Sequence, residues 1–542
     1  MEVAGKTIVL ETGEIGRQAN GAVMATMGET VIYTTACCAN KPTGDGSFTP
    51  LQVHYQERFS AAGRTSGSYL KREGRPKDDD VLVARLVDRP LRPMFAKGWS
   101  NDTQVLQWVM SYDGVNQPEP LAITAAAAAL LVSDIPLKKA VAGVRVGLLG
   151  DNLWVVNPTA AQMAASRLDL VMAGTKDAVL MIEGFCDFLD EGQMLEAVGI
   201  GAAAIAGMCA DMEAWAARVG KAKRGDRVLL PEGLEERAAE LAGAALEEAY
   251  RSPVSKEQRG TAVEAARKGA VEAIAASGDF PDVTDIQLQM AFKSVESSVM
   301  RGLVLREGRR ADGRGVEQIR PITSRASLLP RTHGSALFTR GETQALCVAT
   351  LGTAADAQKV DGIRSVAAAE STAGGESDDG AGAGGGNGGG GGGGRHEIET
   401  FYLQYFFPPS SVGETGRVGP AGVPLKEHVA GIAMGLVLES DGSFVVAGGR
   451  SGISAFQMDI KVEGITLAIL AAALKQAAAG RAHILQEMAA CAPPPRRALS
   501  PHAPVISMLR IDRPAPNPPP PRPSPFNPPP PPTRPSPSNS PL

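Results

Sequence analysis

Ile135-Pro136-Leu137-Lys138, followed by Val141-Ala142-Gly143 and Gly147, returns later as Val423-Pro424-Leu425-Lys426, followed by Val429-Ala430-Gly431 and Gly435. Two earlier anchors repeat in the same order. Gly21 with Gly28-Glu29-Thr30 matches Gly334 with Gly341-Glu342-Thr343, and Tyr55 with Gly63 matches Tyr405 with Gly413. Self-similarity at ordered anchors marks a duplicated folding unit. The spacing is unequal, however: the interval from Gly63 to Pro136 is several times longer than the matching interval from Gly413 to Pro424. The second copy therefore lacks roughly a third of a domain by the usual domain size, and any function that depends on that stretch is in question.

The chain has 542 residues, 44% of them hydrophobic. That is enough for about three or four domains with buried cores. A net charge of −5 and a pI near 5.9 exclude a protein that coats nucleic acid through bulk charge, so a polyanion site must be local. The six cysteines (Cys37, Cys38, Cys186, Cys209, Cys347 and Cys491) form no C-x-x-C pair. They suit neither a disulfide framework nor a zinc site, and point to a reducing compartment. Leu121 to Val132 is apolar but too short to span a bilayer, and Met194 to Met208 contains Glu196; both read as buried helices. No basic-then-apolar leader opens the chain, which argues against secretion.

The expected fold class is α+β. Residues 1–222 alternate β-branched runs such as Val31-Ile32-Tyr33-Thr34-Thr35 with Ala-rich helical stretches. Residues 223–300 turn charged and helical, with helices predicted over Glu232 to Tyr250 and Ser255 to Ala276, and with Asp282 and Thr284 as N-cap candidates for a last helix running toward Met300. Residues 301–490 hold the second copy. Its Gly-rich insert, 365–395, cannot bury enough apolar surface to offset chain entropy and reads as disordered. The tail, 491–542, is dominated by proline, which favours extended polyproline structure over helix or sheet.

The densest chemical signal is Tyr69-Leu70-Lys71-Arg72-Glu73-Gly74-Arg75-Pro76, followed by Ala84-Arg85-Leu86-Val87-Asp88-Arg89-Pro90-Leu91-Arg92-Pro93. Gly74 and Pro76 make a turn, and a helix after it places Arg85, Arg89 and Arg92 on one face. Planar guanidinium groups suit phosphates, and an aromatic beside cations suits stacked single-stranded bases. Arg85 and Arg89 could instead pair with Asp88 and with Asp78-Asp79-Asp80 on a solvated face. Both readings stand at this level.

These segments, together with Arg306-Glu307-Gly308-Arg309-Arg310-Ala311-Asp312-Gly313-Arg314, His333 to Gln344 and Gly452 to Lys461, resemble polynucleotide phosphorylase over residues 1 to about 490. The resemblance implies two RNase PH-like cores joined by a small helical domain and assembled as a homotrimeric ring. It implies an enzyme that shortens single-stranded RNA from its 3′ end with inorganic phosphate as co-substrate, releasing nucleoside diphosphates reversibly with Mg2+ assistance. Neither DNA nor membrane is an expected partner. By resemblance, Lys71 and Arg72 lie in the loop that grips RNA in the channel, and Arg75, Arg85, Arg89 and Arg92 line the same path. Tyr69-Leu70 stands where the bacterial pattern favours two phenylalanines, which weakens one stacking ring.

The family's reaction is expected in the second core, through an S-N-G-S-S-S-M-A-S type phosphate turn and an R-R-E-I-G-H-G segment. Neither occurs here, because the chain passes from Ser411 through Gly419 and Pro420 to Ala421-Gly422-Val423-Pro424. A second shortfall follows. The interval from Gly143 to Ala173 is nearly twice the matching one from Gly431 to Ala447, and the family's G-D-M-D-F-K metal motif belongs in the part that is missing. The first copy keeps only Asp169 at the equivalent place. Asp459, in Gln457-Met458-Asp459-Ile460-Lys461, belongs to a separate segment and reads as structural, as does the lone His333. No catalytic set is intact on this reading. Arg340, Glu342 and Ser411 are the candidates for a residual pocket, and the Mg2+ ligands are missing.

The family's KH and OB-type RNA-binding domains are not expected in this sequence: Ser500-Pro501-His502-Ala503-Pro504 resembles the linker before them, and proline-rich sequence follows. Phe401-Tyr402-Leu403-Gln404-Tyr405 with Phe407-Pro408-Pro409 resembles plastid members, so a chloroplast or mitochondrion is expected, with the cytoplasm as the alternative. The expected function is thus a polynucleotide phosphorylase homologue of impaired activity. Two alternatives are a non-catalytic RNA-binding or ring-assembly subunit, and an incomplete gene model of an active enzyme. Sequencing the transcript across the codons for Gly419 to Gly422 and Ala447 to Gly449 separates the last from the others.

Overall fold

The computed structural model describes residues 1–42, 49–65, 73–150, 152–252, 256–360, 363, 397–399, 401, 403, 429–437, 441–448, 451–460, 464–491 and 500–504. The Gly-rich insert, the Pro-rich tail beyond residue 504, Lys71, Arg72 and Ser411 lie outside these described residues.

The first copy opens with strands β1 (Glu2–Val3), β2 (Lys6–Glu11), β3 (Gly21–Met27), β4 (Thr30–Cys38), β5 (Leu51–Glu57) and β6 (Thr103–Ser111), in the sheet order β1-β2-β3-β4-β6-β5. The repeated Gly-Glu-Thr motif is a tight hairpin turn. Gly28 and its counterpart Gly341 both take a positive φ, 64° and 60°, which favours glycine. Helix α1 (Asp78–Leu91) packs on β5, and α2 (Pro118–Val132) lies against β3 and β4.

Helix α2 is the centre of the first core. Sheets bear on it from two sides, so small side chains are required all round, and its five consecutive alanines, Ala125 to Ala129, are fully buried. The repeat glycines permit this contact. A Cβ on Gly21 would lie 2.0 Å from the Ala129 carbonyl oxygen, and one on Gly143 would lie 2.8 Å from Ile123 Cβ. The chain continues with β7 (Ala142–Leu149), β8 (Leu153–Val156), α3 (Ala160–Ala164), β9 (Ser166–Gly174), β10 (Val179–Leu189) and α4 (Glu191–Val219). By length and composition α4 could cross a membrane. Its Met194, Val198, Gly201, Ile205 and Met208 are instead buried, and it packs on β7 and β9 as a core helix.

Helices α5 (Leu234–Arg251), α6 (Lys256–Ser277) and α7 (Asp285–Glu307) form a separate bundle around Leu234, Leu246, Ile274, Phe292 and Val295. Of the two N-cap candidates the structure uses Thr284, whose hydroxyl accepts the N–H of Gln287 at 3.3 Å. The last helix runs past Met300 to Glu307, where Gly308 ends it with φ 61°. A glycine at this place is the usual left-handed helix stop, and it marks the end better than the change of composition does.

The second copy supplies β11 (Ile322–Ala326), β12 (Gly334–Arg340), β13 (Thr343–Ala349), β14 (Gln358–Val360), β15 (Glu397–Glu399), β16 (Ala430–Val437), β17 (Asp441–Gly448), β18 (Ile453–Ile460) and α8 (Leu467–Cys491). Among the described residues β11-β12-β13 form a three-stranded sheet, the counterpart of β2-β3-β4. The remaining halves of both copies share one sheet, ordered β16-β17-β18-β10-β9-β7-β8. Strands β18 and β10 join antiparallel, Met181 opposite Asp459 and Glu183 opposite Gln457. The runs β7-β9-β10 and β16-β17-β18 are therefore mirrored about that seam. Where the first copy inserts β8 and α3 before β9, the second turns directly from β16 to β17, with Val437 opposite Asp441. This is the second shortfall in spacing, seen as structure.

The cysteines follow burial. Burial pushes the thiol of Cys186 up to about 11 and that of Cys209 up to about 12, whereas Cys37 is exposed. Because the thiolate is the nucleophile, iodoacetamide at pH 8 is expected to modify Cys37 in the native protein and to spare Cys186 and Cys209 until denaturant is added. Peptide mass spectrometry reads this directly, and rapid native labelling of Cys209 would contradict the packing described here.

Candidate nucleic-acid interface

The turn before α1 is held by specific contacts. The Asp80 carboxylate accepts the N–H groups of Lys77 at 2.9 Å and Glu57 at 3.2 Å, tying the helix start to β5. Burial pushes the Asp80 carboxyl up, and these hydrogen bonds partly offset that. Arg58 reaches Glu73 at 3.6 Å, and the Lys77 ammonium sits 4.2 Å from the centre of the Phe59 ring. The segment that follows the Lys71-Arg72 loop is thus fixed on the first core.

The arginines on α1 lie in different surroundings. Arg75, in the turn, and Arg85 are exposed. Arg92 binds Asp88 at 2.6 Å and donates to the carbonyls of Thr49 at 2.8 Å and Leu51 at 3.1 Å. Arg89 turns toward the seam between copies. Its guanidinium binds the carboxylates of Glu183 and Asp459 and donates to the carbonyls of Ile182 at 3.3 Å and Met458 at 3.2 Å. Local pairing of Arg85 and Arg89 with Asp88 and the run Asp78 to Asp80, one of the two sequence readings, is not what the structure shows. Arg92 takes Asp88, and helix spacing could not reveal that Arg89 meets a residue 370 positions later.

Asp459 accordingly serves the seam. The Arg89 side chain is 15% exposed, against 45% for Glu183 and 46% for Asp459. Breaking a buried pair costs about 3–5 kcal/mol because it strands a charge, and solvent at the two carboxylates lowers this to about 2 kcal/mol for Arg89→Ala. Urea unfolding should show that loss, with partial recovery in Arg89→Lys. An unchanged midpoint would contradict a bridging role.

Asp169 is also occupied by an arginine. Arg145 binds it through Nε at 2.6 Å, and also meets Glu119 at 3.2 Å and Gln117. In the first copy Gly147 pairs with Asp169 across the strands; in the second, Gly435 pairs with Ser443. Ser443 and Ala433 therefore stand where the first copy has Asp169 and Arg145. Sequence spacing marks a gap here without showing which residues close it. Among the described residues no three His, Cys, Asp or Glu side chains converge as a metal site requires, and with Asp459 held by Arg89 these residues do not fit a magnesium ion. His333 accepts the N–H of Leu351 through Nδ1 at 2.7 Å, a contact that closes a loop. Arg340 and Glu342 are exposed at the β12–β13 turn.

The second copy holds a cleft. A cavity of about 910 Å³ opens between β11, β12, β16 and α8, lined by Ile319, Phe338, Arg340, Ile432, Lys475 and Gly480 among others. In the first copy β3 and β7, the counterparts of β12 and β16, pack on α2. The glycines record the difference: among the described residues nothing lies within 4 Å of a Cβ on Gly431, and one on Gly334 meets only Ala349 Cβ, at 3.3 Å. Alternation of burial is lost as well. Strand β3 has five of seven residues buried, while β12 has none.

Comparison with known proteins accords with this geometry. Residues 4–136 and 318–387 match the model "3' exoribonuclease family, domain 1", residues 139–204 match domain 2 of that family, and residues 233–315 match "Polyribonucleotide nucleotidyltransferase, RNA binding domain". The protein named probable polyribonucleotide nucleotidyltransferase 1, chloroplastic, of Oryza sativa subsp. japonica is 39% identical, covering 94% of this chain and 67% of its own length. The polyribonucleotide nucleotidyltransferase of Protochlamydia amoebophila is 42% identical, covering 94% of this chain and 79% of its own length. The chain belongs to the polyribonucleotide nucleotidyltransferase family.

The two polyribonucleotide nucleotidyltransferase-like cores are unequal beside those relatives. A match of 584 positions that uses 94% of a 542-residue chain leaves about 75 positions of the Protochlamydia protein without a counterpart here. That total is close to the combined shortfall of the two intervals Gly413 to Pro424 and Gly431 to Ala447 relative to the first copy. A solved structure of rice Rrp46 aligns with 40% of this chain and 96% of its own, at 15% identity and a TM-score of 0.33, too low to add to the argument.

Proposed function

We propose that this protein is an RNA-guiding member of its family, descended from a phosphorolytic 3′-to-5′ exoribonuclease, in which the first core and the helical bundle receive single-stranded RNA and the second core has lost most of its capacity for phosphorolysis. One observation carries the reading: β3 and β7 pack on α2 in the first copy, whereas among the described residues their counterparts β12 and β16 line an open cleft in the second. In phosphorolysis the protein positions inorganic phosphate and stabilises charge on the phosphodiester, with little covalent chemistry of its own. Donors fixed on a packed core do this well, and among the described residues the second core has no counterpart of α2 to fix them on.

On this reading Lys71, Arg72, Arg75 and Arg85 meet the RNA backbone, and Arg89 and Arg92 hold α1 in place. A ring of three copies and a plastid location, the latter suggested by the name of the rice relative, belong to the same proposal. Changing Lys71, Arg72 and Arg85 together to alanine is expected to weaken binding of a single-stranded oligoribonucleotide by about tenfold or more and to flatten its salt dependence, by roughly 0.7 in the log–log slope for each phosphate no longer neutralised. Fluorescence anisotropy at several salt concentrations measures both. Unchanged affinity and slope would remove the first core from the RNA path.

A further inference from the structure

We infer that Arg58, laid over Trp108 on the outer face of the six-stranded sheet of the first core, is a stacking platform for an unpaired RNA base beside the Lys71-Arg72 loop. The platform presupposes RNA guidance by the first core and adds to it a second contact, made to a base and not to a phosphate. Strand alternation builds it. Ile32, Thr34 and Ala36 of β4 and Val105, Gln107 and Val109 of β6 are buried in the core, with α2 packed on both strands. Tyr33 and Trp108, paired across the same strands, therefore point to the other face. Both are half-buried there, and their ring centres lie 6.2 Å apart.

Arg58 directly follows β5, and its guanidinium carbon sits 5.0 Å from the centre of the Trp108 ring. The face of an indole attracts a cation, so the ring holds the guanidinium in place. The Arg58 side chain is 31% exposed and can be reached from solvent. Guanidinium planes and aromatic rings are the surfaces on which proteins stack unpaired bases. Glu73, the residue after Arg72, ties this surface to the loop: its carboxylate binds Arg58 at 3.6 Å and accepts the N–H of Phe59, and its carbonyl accepts the Gln56 side chain at 3.0 Å. Gln56 in turn pairs with Trp108 across β5 and β6. Lys77, over the Phe59 ring, and the exposed Arg64 add positive charge for the backbone of the same strand. With Leu70 in the loop where a second ring would stack, Trp108 and Arg58 supply a stacking surface next to it.

Fluorescence anisotropy of the full chain with an oligoadenylate, beside competition by inorganic polyphosphate as a polyanion without bases, tests the platform. Arg58→Lys keeps the charge and loses the plane, and Trp108→Ala removes the support beneath it. Each is expected to weaken oligoadenylate binding about fivefold or more, the loss typical of one stacked base. The salt slope and the affinity for polyphosphate should not change, because no phosphate contact is lost. Trp108→Phe, which keeps a ring and the strand packing, should recover most of the loss. If the Lys71, Arg72 and Arg85 variant binds as the parent does while Arg58→Lys is weakened, guidance by the loop fails and the platform stands. If that variant is weakened and Arg58→Lys is not, the platform alone is overturned. A Trp108→Ala variant that changes the sedimenting mass and leaves oligoadenylate affinity intact would make this face a contact between copies, and would overturn the proposal as well.

Discussion

Gly21→Ala is expected to cost about 3 kcal/mol of stability, whereas Gly334→Ala, at the matching position of the second copy, should fall within the small range of about 0.5 kcal/mol typical of surface changes. The first places a methyl group 2.0 Å from the carbonyl oxygen of Ala129. That oxygen is backbone within the buried helix α2, so relief requires moving the helix, and overpacking of this kind costs about 1–3 kcal/mol or more. The second places its methyl group 3.3 Å from Ala349 Cβ, on a half-exposed strand that can adjust. Gly143 and Gly431 form a second matched pair: 2.8 Å from Ile123 Cβ in one case, and no described atom within 4 Å in the other. Gly431→Ala should even be slightly stabilising, because alanine restricts the unfolded chain by about 0.4–1 kcal/mol relative to glycine. Urea unfolding, with hydrogen exchange on α2 as a local probe, measures all four. If the second-copy variants proved as costly as the first, something would fill the cleft and the description of an open core would fail.

These pairs also show how much the sequence conveyed. The duplication was legible because anchors such as Ile135-Pro136-Leu137-Lys138 sit at fixed structural tasks, and so were both shortfalls, which are differences in spacing. Their physical form was not. Spacing does not say that Ser443 takes the register position that Asp169 has in the first copy, because that follows from strand register. Helical spacing grouped Arg85, Arg89 and Arg92 on α1, yet Arg89 meets Glu183 and Asp459 only because β10 and β18 pair across the two copies. The cleft was invisible for a related reason. A glycine such as Gly431 reads the same in either copy, and whether a neighbour packs on it, as Ile123 does on Gly143, follows only from the structure. Of the residues proposed to meet RNA, Arg75 and Arg85 are placed, and Lys71 and Arg72 lie outside the described residues.

The second large effect concerns catalysis. Removing a single charge-stabilising donor from an active site typically costs about 10²–10³ in rate, and here the phosphate turn, the R-R-E-I-G-H-G segment and the G-D-M-D-F-K motif are all missing from the second copy. Groups that act as a unit are not additive in their losses, so the expected deficit is about 10³-fold or more, and not the product of three separate factors. The most direct test is release of nucleoside diphosphates from a single-stranded RNA by the purified chain in the presence of inorganic phosphate, followed beside the Protochlamydia relative under the same conditions. Release at least about a thousandfold slower than by that relative is expected, with RNA binding still dependent on the first core. Phosphate-dependent release within tenfold of the relative would contradict a second core that has lost its chemistry.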